Sequence, residues 1–122
     1  MAKILLVDDE PAILKMYSES LNNADFEVIT AASGEEGVDQ AKKVKPDIIL
    51  IDIMMPRLNG FDAVKELKSD PGTKIIPIYL LTNLPENASG QKPQELGVAG
   101  YLVKAEVEPG KLVEIVTEAL KK

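Results

Sequence analysis

Three aspartates, a threonine and a lysine stand where short aliphatic runs stop. Lys3 to Val7 ends on Asp8-Asp9-Glu10, and Ile48 to Ile51 ends on Asp52. Ile75 to Leu81 ends on Thr82, and Gly100 to Val103 ends on Lys104. The chain has no histidine and no cysteine. That excludes thiolate metal sites, disulfides, a histidine phosphoacceptor and histidine-based nucleophilic triads. Carboxylates must carry any nucleophilic or acid–base role. A lone buried carboxylate is costly, so Asp52 needs compensation. Three carboxylates held together need positive charge. Lys104 supplies one unit, and a hard divalent cation supplies more. Mg²⁺ suits oxygen ligands from one or two carboxylates, water and phosphate. An aspartate oxygen beside Mg²⁺, a lysine and a hydroxyl is a phosphoryl acceptor. Asp52 is then the nucleophile, and Lys104 with Mg²⁺ neutralises charge in the loose transition state. Thr82 can donate a hydrogen bond to the transferred group.

The elements that must position these residues follow from the apolar pattern. Ile48 to Ile51 is short and β-branched, between Pro46 and Pro56, and reads as a central strand buried on both faces. Further strands are expected at Lys3–Val7, around Phe26, Val28 and Ile29, at Ile75–Leu81 and at Gly100–Val103. Helical spacing links Ile13/Leu14, Tyr17 and Leu21 after Pro11, with Asn22-Asn23 as the connection to the second strand. Ser33 and Glu36 form a capping-box pattern ahead of Val38, Ala41 and Val44. Asn59 is the expected cap of a third helix carrying Phe61, Val64 and Leu67, which Asp70-Pro71-Gly72 ends. Residues 85–97, interrupted by Gly90 and Pro93, predict a short or irregular helix. After Glu108-Pro109-Gly110, Leu112, Ile115/Val116 and Ala119/Leu120 mark a last amphipathic helix.

This alternation predicts an α/β fold, a five-stranded parallel doubly wound sheet built as (βα)5. In the flavodoxin-like order 2-1-3-4-5, ligands bind at the carboxyl ends of the strands. Strands 1 and 3 are then neighbours, roughly 4.8 Å apart. Asp8, Asp9 and Asp52 converge on one crevice, and Lys104 reaches it with its long stem.

Composition bounds the rest. At 122 residues the chain is expected to be one domain, residues 1–122. Apolar residues make up 45% and aromatics 4%, so the core must be aliphatic. A net charge of −6 argues against direct nucleic-acid binding. No apolar run approaches a membrane span. Met1-Ala2-Lys3 leads straight into a strand without a signal peptide, which gives the expectation of a cytoplasmic protein.

With these residues in place, the chain resembles the receiver domain of two-component response regulators, of the chemotaxis-type single receiver. The resemblance rests on Leu5-Leu6-Val7-Asp8-Asp9-Glu10, on Asp52 with Pro56 and Gly60, on Leu81-Thr82, and on Gly100-Tyr101-Leu102-Val103-Lys104. Receivers are themselves a standard example of the 2-1-3-4-5 order, so the resemblance implies that order as well. It implies a phosphorylation-controlled signalling switch in a phosphorelay. Asp52 would accept a phosphoryl group from a sensor histidine kinase or histidine phosphotransfer protein. Asp8 would hold Mg²⁺ through water and Asp9 directly, with Asp52 and the Met54 main-chain carbonyl completing the protein ligands. Thr82 would be the switch hydroxyl and Tyr101 the rotating aromatic, with remodelling across residues 83–97. Output would pass to a partner protein that the sequence does not name. Such a domain is not a turnover enzyme, although it has weak intrinsic autophosphorylation and autodephosphorylation chemistry.

Two positions depart from the family pattern. Asn83 follows Thr82, where a smaller residue such as alanine is usual. Ala105 follows Lys104, where a proline in a cis peptide is usual. A cis bond before a non-proline residue costs about 2.5–4 kcal/mol, so a trans or strained Lys104 loop is expected. Met54 and Leu84, both apolar, would flank the path of water to a phosphorylated Asp52 and slow its hydrolysis.

Other readings use the same residues. Asp8 and Asp9 alone suit the start of a helix, where carboxylates favour the dipole. A Mg²⁺-dependent aspartyl-phosphate phosphohydrolase would need a second Asp near the nucleophile, and Met54 stands two positions after Asp52. A flavodoxin-like binding module would need a hydroxyl- and glycine-rich phosphate loop after strand 1 and exposed aromatics.

Overall fold

The computed structural model describes residues 2–53, 60–83 and 97–121. The expectations at Met54, Pro56, Asn59, Leu84 and most of 85–97 lie outside those residues. Strands β1 (Lys3–Val7), β2 (Glu27–Ala31), β3 (Ile48–Ile51), β4 (Ile78–Thr82) and β5 (Gly100–Val103) form one sheet. Its order is β2-β1-β3-β4-β5, and every pairing is parallel. Among the described residues, four α-helices cover it: α1 (Pro11–Asn23), α2 (Gly34–Val44), α3 (Gly60–Ser69) and α4 (Pro109–Leu120). A 3₁₀ turn, Lys104–Glu106, follows β5.

Alternation along each strand divides the core between the two faces. Leu5, Val7, Ile49, Ile51, Ile78 and Leu80 pack with Val38 and Ala41 of α2 and Ala63, Val64 and Leu67 of α3. Ile4, Leu6, Ile48, Leu50 and Leu81 pack with Tyr17 and Leu21 of α1 and Leu112 and Val116 of α4. All four residues of β3 are buried, as a strand covered on both faces requires.

Local chemistry sets the boundaries. Pro11 opens α1, where its missing N–H costs nothing. Asn22 and Asn23 belong to the last turn of α1 and are not the connection expected of them. The chain turns instead at Asp25, whose φ of 69° is left-handed. The Phe26 N–H closes the helix end on the Leu21 carbonyl at 3.1 Å. Ser33 Oγ accepts from the Glu36 N–H at 3.1 Å, and Glu36 Oε1 accepts from Ala32 N–H at 3.3 Å. The return arm of the capping box thus reaches one residue further back than the ideal motif.

Strand β4 starts three residues later than Ile75. Ile75 is 82% exposed in a turn, and Thr73 Oγ1 donates to the Leu67 carbonyl at 2.7 Å to hold that turn on α3. Pairing begins where Ile49 N–H meets the Pro77 carbonyl at 3.0 Å, since Pro77 has only an acceptor to offer. Pro109 and Gly110 form the first turn of α4 and do not precede it. The described residues contain no cis peptide, so the Lys104–Ala105 bond is trans.

Candidate functional site

The strand register brings the predicted residues together. Val7 pairs with Ile51 on the last rung between β1 and β3, so Asp8 and Asp52 are the next residues of adjacent strands. Asp52 N–H bonds the Val7 carbonyl at 3.0 Å, and Asp8 N–H bonds the Ala31 carbonyl at 3.0 Å. Thr82 pairs with Val103 at the end of β4 and β5, and Lys104 comes next. Asp8, Asp52, Thr82 and Lys104 are all buried, whereas Asp9 and Glu10 are exposed. A crevice of about 270 Å³ opens between Asp9, Glu10, Asp52, Thr82, Asn83 and Lys104.

Electrostatics converge on one ammonium. Lys104 Nζ lies 2.8 Å from Asp52 Oδ2, forms an ion pair with Asp8 Oδ2, and stands 3.6 Å from Glu10 Oε1. Burial works against its charged form. The hydrogen bonds and charges of Asp52 and Asp8 outweigh that burial and raise its pKa. Asp8 responds differently. Burial pushes its carboxyl above the usual range, more than the Lys104 and Glu10 N–H hydrogen bonds pull it down, and the Asp52 charge adds to the rise. The Lys104 ammonium is shared between Asp8 and Asp52, and for Asp8 it does not offset the burial.

That shortfall is what a divalent cation would remedy. Carboxylate oxygens of Asp8, Asp9, Glu10 and Asp52 all lie within 4.8 Å of one another, which could hold a metal ion. Asp8 Oδ2 is buried and faces the Lys104 ammonium. An all-oxygen, multiply anionic donor set suits a hard cation of the Mg²⁺ kind. Asp8 also has a local task. Its Oδ1 accepts from the Glu10 N–H at 2.9 Å and shapes the entry to α1, whose N-cap is Glu10 with no side-chain cap.

Tyr101 sits on β5 opposite Leu80, half-buried beside the core of the α2–α3 face. Alternation puts Thr82 on that same face, two rungs along. Met54 lies outside the described residues. Glu10 joins the acidic cluster, a part not foreseen for it although it adjoins Asp8-Asp9. Two further bonds were not foreseeable: Asn83 Oδ1 accepts from the Ala105 N–H at 2.9 Å, and Tyr17 donates to the Val107 carbonyl at 2.7 Å. Their partners are 22 and 90 positions apart, and no periodic pattern connects them.

A sequence model of the response regulator receiver domain matches residues 4–117. The chain belongs to the response regulator receiver domain family. As a receiver domain it is a phosphorylation-controlled signalling switch. Protein PilH of Pseudomonas aeruginosa is 36% identical over 104 residues, covering 85% of this receiver and 86% of PilH. The alkaline phosphatase synthesis transcriptional regulatory protein PhoP of Bacillus subtilis is 37% identical over 102 residues, covering 84% of this receiver but 42% of PhoP. The receiver thus spans less than half of that longer regulator. Among solved structures, the chemotaxis response regulator CheY4 of Vibrio cholerae superposes with a TM-score of 0.89 at 37% identity, covering 98% of this chain and 99% of CheY4. The receiver domain of a Pseudomonas aeruginosa sensor histidine kinase, solved with a magnesium ion coordinated in its active-site cleft, has a TM-score of 0.89 at 26% identity, covering 99% of this chain and 98% of that one.

Proposed function

We propose that Asp52 is the phosphoacceptor of this receiver and takes its phosphoryl group from the phosphohistidine of a sensor histidine kinase or histidine phosphotransfer protein. The observation that carries this reading is the 2.8 Å contact of Asp52 with Lys104 in a crevice that Asp9 also lines, with the Asp8 carboxylate paired to the same ammonium. An Asp52 carboxylate oxygen attacks phosphorus; a P–O bond forms as the P–N bond to the donor histidine breaks. The leaving imidazole takes its electron pair and picks up a proton. The Lys104 ammonium offsets charge on the phosphoryl oxygens, and the Thr82 hydroxyl donates to one of them after transfer. Asp8, Asp9 and Asp52, with the Met54 main-chain carbonyl, would hold Mg²⁺. When bound, it supplies a double positive charge and oxygen coordination for the phosphoryl group. The magnesium in the cleft of the kinase receiver supports that choice of ion.

On this reading the domain has weak intrinsic autophosphorylation and autodephosphorylation chemistry and is not a turnover enzyme. Its output is the docking of a partner protein, controlled by Thr82 and Tyr101. With a net charge of −6 it binds no nucleic acid through this surface. No helix among the described residues is long and apolar enough to cross a membrane, and a cytoplasmic setting fits a kinase donor. The test is phosphorylation with phosphoramidate or a phosphorylated kinase in Mg²⁺. Wild type should gain one base-labile phosphoryl group, and Asp52→Asn none. Label retained in Asp52→Asn would place the acceptor elsewhere.

A further inference from the structure

The β4–β5 ladder ends at the Thr82–Val103 rung, and the two chains leave side by side as Asn83 and Lys104. Lys104 opens a 3₁₀ turn whose N-cap, Val103, offers no side-chain cap. The first N–H groups of such a turn lack partners within it. One of them, Ala105 N–H, is taken by Asn83 Oδ1 at 2.9 Å. Asn83 therefore continues the ladder with a side-chain carbonyl where a backbone carbonyl is no longer in register. The bond joins the end of the strand that carries Thr82 to the turn that carries Lys104. It also lies against the site, since Asn83 lines the crevice with Asp52, Thr82 and Lys104.

The pairing explains both departures from the family pattern together. An alanine at 105 leaves a donor that a proline would not have. An asparagine at 83 brings the acceptor that a small residue would not. We propose that Asn83 is a positioning residue: it clamps the Lys104 turn so that the ammonium is held ready over Asp52. The inference rests on the reading of Asp52 as phosphoacceptor. It predicts the opposite of simple steric control. If Asn83 merely narrowed the crevice, shortening it would help a small phosphoryl mimic to enter. As a clamp, shortening it releases the Lys104 turn and weakens binding of the mimic.

The experiment compares wild type, Asn83→Ala and Asn83→Asp, the last of which keeps an acceptor oxygen at the same reach. Amide hydrogen exchange at Ala105 is read by NMR. Mg²⁺ and beryllofluoride affinities are measured on wild type and Asn83→Ala. In Asn83→Ala the Ala105 amide should exchange about threefold faster or more, the low end for a net hydrogen bond because both residues are exposed. Exchange in Asn83→Asp should stay near wild type. Beryllofluoride should bind Asn83→Ala about threefold more weakly. Mg²⁺ affinity should stay within about twofold of wild type, since no proposed metal ligand is touched. Unchanged Ala105 exchange in Asn83→Ala would overturn the clamp, and so would beryllofluoride affinity equal to or above wild type. Wild type that fails to bind beryllofluoride at all would instead overturn the phosphoacceptor reading, leaving the Ala105 exchange to decide the clamp.

Discussion

Lys104 Nζ stands 2.8 Å from Asp52 Oδ2, and the same ammonium is paired with Asp8. Both carboxylates are at most 4% exposed, so removing the ammonium takes a shared counter-charge from two buried groups. Breaking a buried pair costs about 3–5 kcal/mol, and a crevice open to solvent favours the low end. Lys104→Met should therefore lose about 3 kcal/mol at neutral pH in metal-free buffer. Saturating Mg²⁺ should return part of that loss by replacing the missing charge. Urea denaturation with EDTA and with Mg²⁺ measures both. An unchanged midpoint in EDTA would show that the pair is not structural.

Asp8 gives a pH dependence with a defined sign. Its native carboxyl titrates above the unfolded one because of burial, despite Lys104 and the Glu10 N–H. The native state then binds the proton more tightly than the unfolded chain. Its contribution is complete below the unfolded pKa and is lost as pH rises through the native value. In EDTA, Asp8→Asn should gain stability relative to wild type as pH goes from about 4 to 7, because the variant cannot suffer that loss. Urea midpoints across this range decide it. A difference that is flat, or that shrinks toward neutrality, contradicts the assignment.

Metal should act in the opposite direction. Asp9 is exposed and its removal strands nothing, so Asp9→Asn should change metal-free stability by less than about 0.5 kcal/mol. In wild type, Mg²⁺ at about 100 times its Kd should add about 2.7 kcal/mol. Asp9→Asn should lose most of that gain over the same concentration range. Equal Mg²⁺ stabilisation in the two proteins would remove Asp9 from the ligand set.

The legibility of these parts in the sequence follows from their physics. The parallel sheet and the fully buried β3 were legible because Ile48 to Ile51 is apolar at every position and strands alternate with helical stripes, whereas the order 2-1-3-4-5 came with the family resemblance. The meeting of Asp8, Asp52 and Lys104 was legible because each ends a strand, and parallel register then fixes their neighbours. Boundaries were not. Asn22-Asn23 carries turn-forming residues, yet the turn fell on Asp25, where the helix end could close on Leu21. Ile75 looked like strand, but Pro77 withholds a donor and the chain stays in a turn until it. Lone side-chain bonds such as Asn83 to Ala105 follow from the final geometry of two loops and leave no periodic trace.

Tyr17 holds the far side of the Lys104 turn. Its hydroxyl, buried in α1, donates to the Val107 carbonyl just after that turn at 2.7 Å. Tyr17→Phe keeps the ring packed against Leu21 and Leu112 but leaves that carbonyl without its donor. The cost should be about 1–2 kcal/mol, the usual range for an unsatisfied buried acceptor. Urea denaturation measures it. A loss below the experimental error would mean that water replaces the hydroxyl.

Gly60 links helix packing to Asp52, the proposed acceptor. A Cβ built there collides with the Asp52 carbonyl oxygen and the Ile53 Cα, and meets Ile53 Cγ2 at 2.8 Å. Two of those three atoms are backbone and cannot rotate away. Gly60 N–H also points at the Ile53 carbonyl, 3.4 Å away, so the first turn of α3 is seated on the residues that carry Asp52. Gly60→Ala must push α3 outward or displace the Asp52 peptide. Overpacking of this kind costs about 1–3 kcal/mol, and backbone contact favours the upper end. Gly37 is the comparison, because the three atoms nearest a Cβ there all belong to the Val7 side chain, at 2.9 Å and beyond. Both variants should be less stable, but beryllofluoride binding should weaken markedly more in Gly60→Ala than in Gly37→Ala. Equal binding by the two variants would show that strain at Gly60 relaxes through α3 and never reaches Asp52.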